Sequence, residues 1–565
     1  MKNLFKYFFI GAALTTLTTA CSDQLETSPT TAVSGQTMTA SNDAAMISLN
    51  GIYRSMYTSG WSTTGNTHQC FGISAYNLCA DIMGDDHIMA AQGSGWFWFD
   101  AAYNVKARYT NSAWRSYDLW YAGFTWIANA NYLIAMDVDI TDADIDRMYI
   151  LGQAYGVRAY SYWMLAQYFA RTYKGHESDP CVPIYNEPTT AKTTGHPRAT
   201  NQVVYDQMKA DIAKAVEYLE KSQNTGMEKD NSFITYPVAL GLQARIALTM
   251  EEWSLAAEAS EKAIKLGKHK IQPVQASAFK ANSSNFMNTY NSPNVMWGAN
   301  IIADQSGVYA SLFAHMDAVA NMYAGYSRAP KKINSETYEL MGENDSRRCW
   351  WNPNDENNPY QQEKFHFSDI QTYLGDYIWM RIEEMYLIAA EAECMNGNDA
   401  VAQQYLNTLV QTRDPEYNCT KTGTAMGKLT SDRTGSLREA IIDQRRIELW
   451  GEGGRLYDIR RLRQGFKRTT AQGWPNGLLL SGKATDDPES YTWVLTIPKA
   501  EFDGNKNMSE SNGDYGSLKT VFPGYVVNWI TGSAASTTSN SSGWEYVAQQ
   551  TGSDPEQTIY QYKNS

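Results

Sequence analysis

The 565 residues are 43% hydrophobic and 19% charged, with 40 Gly and 17 Pro. That is material for a large core, and it excludes a disordered chain, a collagen-like repeat and a small disulfide scaffold. The 60 acidic residues outnumber the 47 basic ones, giving a net charge of -13 with no Lys/Arg block to offset it, which argues against sequence-independent binding to nucleic acid.

Residues 1–6 form a short basic start and residues 7–19 an apolar-to-small stretch. The stretch is well below the ~20 apolar residues of a membrane span, so 1–20 reads as a secretory signal. Thr18, Thr19 and Ala20 place small residues directly before Cys21, the arrangement a lipoprotein signal peptidase accepts, with Leu17 one place further from the cysteine than usual. The mature chain is then expected to start at a lipidated Cys21, held to the membrane by acyl chains. Residues 21–40 are rich in Ser, Thr and Gln without apolar periodicity and read as a flexible tether. Six further cysteines (Cys70, Cys79, Cys181, Cys349, Cys394 and Cys419) show no C-x-x-C spacing, so free thiols are the simpler expectation.

Helical signals begin at Asp43, read as an N-cap. A stronger helix spans 114–134, where Trp120, Phe124, Ile127, Asn131 and Ile134 repeat at three and four. Others are predicted over 153–170 and around Val204 to Leu219. Two paired segments follow: Ala239 to Met250 with Trp253 to Ala263, turning at Glu251-Glu252, and Met385 to Met395 with Val401 to Thr408, turning at Gly397-Asn398. Small residues at the expected crossings, Ala244 with Ala256 and Ala389 with Val401, suit tetratricopeptide-like pairs that stack into a scaffold. A last helix is predicted over 437–449. Residues 59–111, 267–334 and 347–375 read as long irregular stretches whose aromatic content suits function better than disorder.

Ten segments, taken in order, resemble the SusD/RagB family of outer-membrane nutrient-binding lipoproteins of Bacteroidetes: ACSDQLE, LNGIYRSMY, WYAGFTWIANANYLI, QAYGVRAYSYWMLAQYF, RATNQVVYDQMKADIAKAVEYL, SPNVMW, NDSRR, MRIEEMYLIAAEAECMNGN, QRRIELWGEGGRLYDIRRLR and TIPKAEF. The resemblance implies a mostly helical fold for residues 41–565, a single domain of four tetratricopeptide-like helix pairs supporting a loop-rich ligand face. It also implies a protein that is not an enzyme. Such a protein captures oligosaccharide, or in some members peptide, and passes it to a partner TonB-dependent, SusC-like transporter. The expected location is the outer membrane, lipid-anchored and facing outward. A glycoside hydrolase is the less favoured alternative, since its paired carboxylates at ~5–10 Å are a property of the fold.

Sugars offer C–H faces to aromatic rings and hydroxyl edges to carboxylates, amides and Arg. The segment 93–100 puts Trp96 and Trp98 on one side if extended, and these are the first platform candidates. The resemblance adds aromatics from a central loop, and Tyr309 and Tyr323 are expected to join them. Trp350 and Trp61, both in loop-like surroundings, are further candidates, and Trp297 is expected inside. Asp85-Asp86-His87 does not complete a metal site, so Asp86 is expected as a polar contact to ligand. No cofactor is expected, and no bound calcium is assignable. Glu448, Glu452, Arg455, Asp458, Arg158, Glu391 and Glu393 read as helix salt bridges of the scaffold. The seven His are scattered without a ligand pair.

Overall fold

Apolar periodicity from residue 114 onward becomes an array in which each helix packs against the next in the chain. The computed structural model describes residues 39–59, 64–108, 113–190, 192–223 and 230–508, with three strands nearer the C-terminus. The signal segment, Cys21, nearly all of the tether and Trp61 lie outside the described residues.

Helix α1 (Asn42–Ser55) is capped by Ser41, whose hydroxyl accepts from the Ala44 N–H at 3.2 Å. The expected cap, Asp43, lies instead in the first turn, where the helix dipole favours an acid. Helix α2 (Ile73–Met83) is followed by α3 (Trp114–Ile134) and α4 (Ile145–Phe169), and α4 starts earlier than the predicted Gln153. Then come α5 (Asn201–Lys221), α6 (Tyr236–Met250), α7 (Trp253–Lys265), α8 (Ile382–Met395), α9 (Asp399–Val410), α10 (Leu437–Glu448) and α11 (Arg455–Arg461).

The packing runs α3 on α4, α4 on α5 and so on to α8 on α9, and α10 closes on α8. That order is the nearest-neighbour stacking of a helical solenoid. The predicted turns are where they were expected: Glu251 adopts the left-handed conformation (φ 59°) between α6 and α7, and Gly397 (φ 84°) does so between α8 and α9. Ala244, Ala256 and Ala389 are buried. Val401 is not the fourth crossing residue, because it is 38% exposed and Ala402 takes the inward position.

Helix α2 is the longest of the helices that the sequence did not predict, α11 being another. Segment 59–111 was expected to be irregular, yet α2 crosses it with every residue but Asn77 buried. It is only 11 residues long, and a short, mostly buried run of this kind does not by itself tell helix from strand or loop.

Sheets are small. Strands β1 (His87–Met89), β3 (Lys331–Ile333), β5 (Gln361–Gln362) and β4 (Trp351–Asn352) form one sheet in the order β1-β3-β5-β4, while β2 (Val295–Ala299) pairs with β6 (Tyr377–Arg381). Strands β7 (Tyr525–Val527), β9 (Thr558–Tyr562) and β8 (Trp544–Gln549) form a third sheet. The β1–β3 pair matters most for the site. It is antiparallel with Met89 opposite Lys331, and the Ala90 N–H continues the ladder to the Pro330 carbonyl at 3.0 Å. The segment that leaves β1 and the one that enters β3 therefore meet at the same end of the sheet.

Most of the charged residues assigned to the scaffold are held in ion pairs, many of which join different elements rather than neighbouring turns of one helix, while Glu393, among the described residues, only accepts from the Asn398 amide. Glu448, fully buried, accepts from Arg413, Arg381 and Arg347 at 2.9, 3.1 and 3.2 Å. Arg158 pairs with Asp211 at 2.6 Å and Arg461 with Glu391 at 2.7 Å.

Candidate functional site

Two segments carry the aromatic residues, and the β1–β3 ladder brings them together. On the first, Gly93 (φ 55°) turns the chain beside the other segment, where a Cβ would lie 2.7 Å from the Ala329 methyl. The Ser94 and Ser327 hydroxyls hydrogen-bond at 2.7 Å across the gap. Phe97 is left-handed (φ 62°), an unusual state for a bulky residue, and it drives its ring into the core against His315 at 4.9 Å. Its N–H donates to Gln69 Oε1 at 2.6 Å. Trp96 is thereby left half-buried at the surface.

A buried ion network braces this turn. Asp100 accepts from Arg108 and Arg115, each at 2.9 Å, and Arg115 reaches on to the Gln69 carbonyl at 2.9 Å. Burial alone would raise the Asp100 carboxyl, but the two guanidinium groups outweigh it and hold it below the usual range.

At the centre of the cluster is His68, on the turn Thr67–Gln69. Its ring lies near-parallel to Trp96, with centroids 5.5 Å apart, and to Tyr309 at 6.0 Å. Its Nδ1 pairs with the Tyr323 hydroxyl. Tyr323 also meets Trp96 edge-on at 6.1 Å and Tyr309 at 5.9 Å. Below it, His315 stacks on Tyr323 at 4.8 Å and bonds the His68 carbonyl through Nε2 at 2.8 Å. Burial pushes His315 down to about 3, so it is neutral and carries its proton on the nitrogen facing that carbonyl.

Tyr309 is 50% exposed and Tyr326, on the same segment, 75%. The segment is pinned at Asp317, which accepts from the Val319 N–H, the Phe367 N–H and the His366 ring, each at 3.0 Å. The assembly thus offers aromatic faces at the surface with hydroxyl and imidazole groups between them, the chemistry that fits a polar ring with apolar faces.

The structure brings together three of the predicted residues, Trp96, Tyr309 and Tyr323. It does not bring in Trp98, Trp350 or Asp86, and Trp61 lies outside the described residues. Trp98 opens a helical turn (Trp98–Ala101) rather than continuing a strand, so it does not share a side with Trp96. Its indole packs against Gly477, 2.9 Å from where a Cβ would lie. Trp350 is fully buried against Phe279 at 5.6 Å, with the Lys364 ammonium 4.4 Å from its ring, and belongs to the core. Asp86 is also buried, held by Arg446 at 2.6 Å and by the Thr337 hydroxyl at 2.5 Å, and its position is structural rather than ligand-facing. Neighbouring Asp85 pairs with Arg455 at 2.6 Å, and His87 stacks on Trp450 at 4.2 Å. Trp297 is buried, as expected.

His68 and His315 are the residues that sequence reasoning missed. Neither sits in a motif, and only the folded arrangement gives them a role. Among the described residues no group of His, Cys, Asp and Glu could hold a metal ion.

Comparison with known proteins fits this architecture. Residues 277–516 match a model described as the SusD family, and residues 49–248 match one described as starch-binding, associating with the outer membrane. The chain belongs to the SusD family. Among solved structures of this fold, a SusD-like carbohydrate binding protein from Bacteroides vulgatus is 24% identical with a TM-score of 0.65, over 83% of this chain and 97% of its own. A SusD superfamily protein from the same species is 21% identical (TM-score 0.66, 83% and 98% covered). Surface glycan-binding protein A from Bacteroides thetaiotaomicron, solved in complex with laminarihexaose, is 17% identical (TM-score 0.56, 82% and 98% covered). A comparison with curated proteins finds no match. In this SusD-family chain the helical array supports the loops, and the aromatic cluster lies where segments remote in sequence converge.

Proposed function

We propose that this protein is a surface glycan-binding lipoprotein that captures oligosaccharide without chemistry and passes it to a TonB-dependent transporter of the outer membrane. The observation that carries the binding reading is the convergence of Trp96, Tyr309 and Tyr323 around His68 at the surface. Relatives of the same fold named for carbohydrate or glycan binding support it. Five buried carboxylates, Asp100, Asp85, Asp86, Glu391 and Glu448, are held in ion pairs with arginines, which suits a structural rather than a hydrolytic role for them. Anchoring through Cys21 and the tether of residues 21–40 would leave the domain free to sit over a transporter. The model described as associating with the outer membrane supports that location.

Affinity electrophoresis of the full-length protein in detergent, through gels holding plant, microbial and host polysaccharides, tests the reading. Retardation by one of them, with no new reducing ends after prolonged incubation, is expected. Sustained release of reducing ends would instead make the protein a hydrolase, and retention by peptides alone would make the ligand a peptide.

A further inference from the structure

A second cleft, of about 390 Å³, opens beside the loop that carries Tyr309. Its walls include the end of α1, with Asn50, Arg54 and Tyr57, and the loop residues Asn300 and Gln305. Gln305, which lines the cleft together with Tyr57, stands four positions before Tyr309, so one loop serves both the cleft and the aromatic cluster.

The charge in the cleft is unusual for this chain. Acidic residues outnumber basic ones 60 to 47 overall, yet among the described residues no carboxylate lines this cleft and the one ionised side chain in its lining is Arg54. Arg54 is exposed, and among the described residues its guanidinium has neither an ion pair nor a hydrogen bond. A cation in the last turn of a helix is favoured by the dipole, which explains why arginine is tolerated there. It does not explain the missing counter-charge. The nearby Asp230 is turned to other partners, bonding the Ser232 N–H at 2.8 Å and the Tyr290 hydroxyl at 3.4 Å.

We infer that this cleft binds an anionic substituent of the captured glycan, a uronate carboxylate or a sulfate ester, through Arg54. A free guanidinium offers the planar fork that such groups accept, and Asn50, Asn300 and Gln305 supply amides for neighbouring hydroxyls. The inference rests on the glycan-binding reading above and narrows its ligand class to acidic glycans. Because Arg54 is exposed, the gain should fade as salt rises.

The test uses full-length protein in detergent on matched polysaccharide pairs, polygalacturonate with its neutral methyl ester and dextran sulfate with dextran, at low and high salt. The acidic member of at least one pair should be retained about tenfold more tightly. Arg54→Gln, on an exposed helix face, should reduce that retention to the neutral level, and Arg54→Lys should keep part of it. The pair that responds distinguishes carboxylate from sulfate. Equal retention of both members, no retention of either acid, or acid retention unchanged in Arg54→Gln would overturn the assignment. Trp96→Ala separates this failure from that of the parent reading: neutral glycans retained in a Trp96-dependent manner with no acidic preference would remove the anion site and leave the aromatic one.

Discussion

His315 donates its Nε2–H to the main-chain carbonyl of His68 across 2.8 Å, while its ring stacks under Tyr323. One buried neutral imidazole therefore fixes both the backbone of the central residue and the face of a neighbouring ring. His315→Phe keeps a flat ring and removes the donor, leaving a carbonyl unpaired at a cost of about 1–3 kcal/mol. Urea unfolding should show that loss, and glycan titration should show weaker binding. Because His315 titrates only near pH 3, it should impose no pH dependence between pH 5 and 8.

His366 anchors the second aromatic segment from beneath. It bridges Asp317 and Glu363, each at 3.0 Å. Burial would lower its pKa, but the two carboxylates outweigh this and raise it to about 9, above the ordinary histidine value of 6.5. A raised histidine pKa stabilises the fold fully below pH 6.5 and loses that contribution as pH climbs through 9. The shift corresponds to about 3 kcal/mol. Melting curves of wild type and His366→Gln should therefore differ most at pH 6 and converge by pH 9.5. A gap that does not change with pH would show that the ion pairs do not carry the effect.

Gly93 occupies a left-handed turn where a Cβ would strike the Ala329 methyl. Gly93→Ala should cost about 1–3 kcal/mol through the combined strain and contact. The larger effect should fall on binding, because this turn presents Trp96. Calorimetric titration with a retained oligosaccharide, set beside a thermal melt, measures the two separately.

Glu448 and Trp350 are core residues here. Glu448→Gln leaves Arg347, Arg381 and Arg413 short of a buried counter-charge and should destabilise by about 3–5 kcal/mol. Trp350→Ala should cost a similar amount by opening a cavity and removing the ring beside Lys364. In both variants the folded fraction should still bind glycan, as chemical denaturation combined with gel retention at low temperature would reveal.

The sequence exposed what periodicity encodes and hid what only assembly creates. Helix α3 was predicted at Trp114–Ile134 and is found there, because a two-sided helix prints its buried stripe in the chain. Helix α2 is only 11 residues long, too short a run to be told from a buried strand or loop by pattern. In the candidate site, Trp96, Tyr309 and Tyr323 could be picked out as aromatics in Gly- and Ser-rich surroundings. The same surroundings misled at Trp98, Trp350 and Asp86, since a loop-like composition does not say whether a side chain points outward or in. Trp98 was misassigned because one helical turn replaced the assumed strand. His68 was invisible because a single histidine gains its meaning from rings contributed by residues 96, 309 and 323.

Dissociation constants of one retained oligosaccharide for wild type, Trp96→Ala and Trp98→Ala, measured by titration calorimetry on folded protein, test the cluster most directly. If the surface around His68 binds the glycan, Trp96→Ala weakens it by about 2 kcal/mol, roughly thirtyfold, as for a dominant contact residue. Trp98→Ala then leaves the affinity within about twofold of wild type, because that ring packs on Gly477. Equal losses in both variants, or an unchanged affinity in Trp96→Ala, would contradict it.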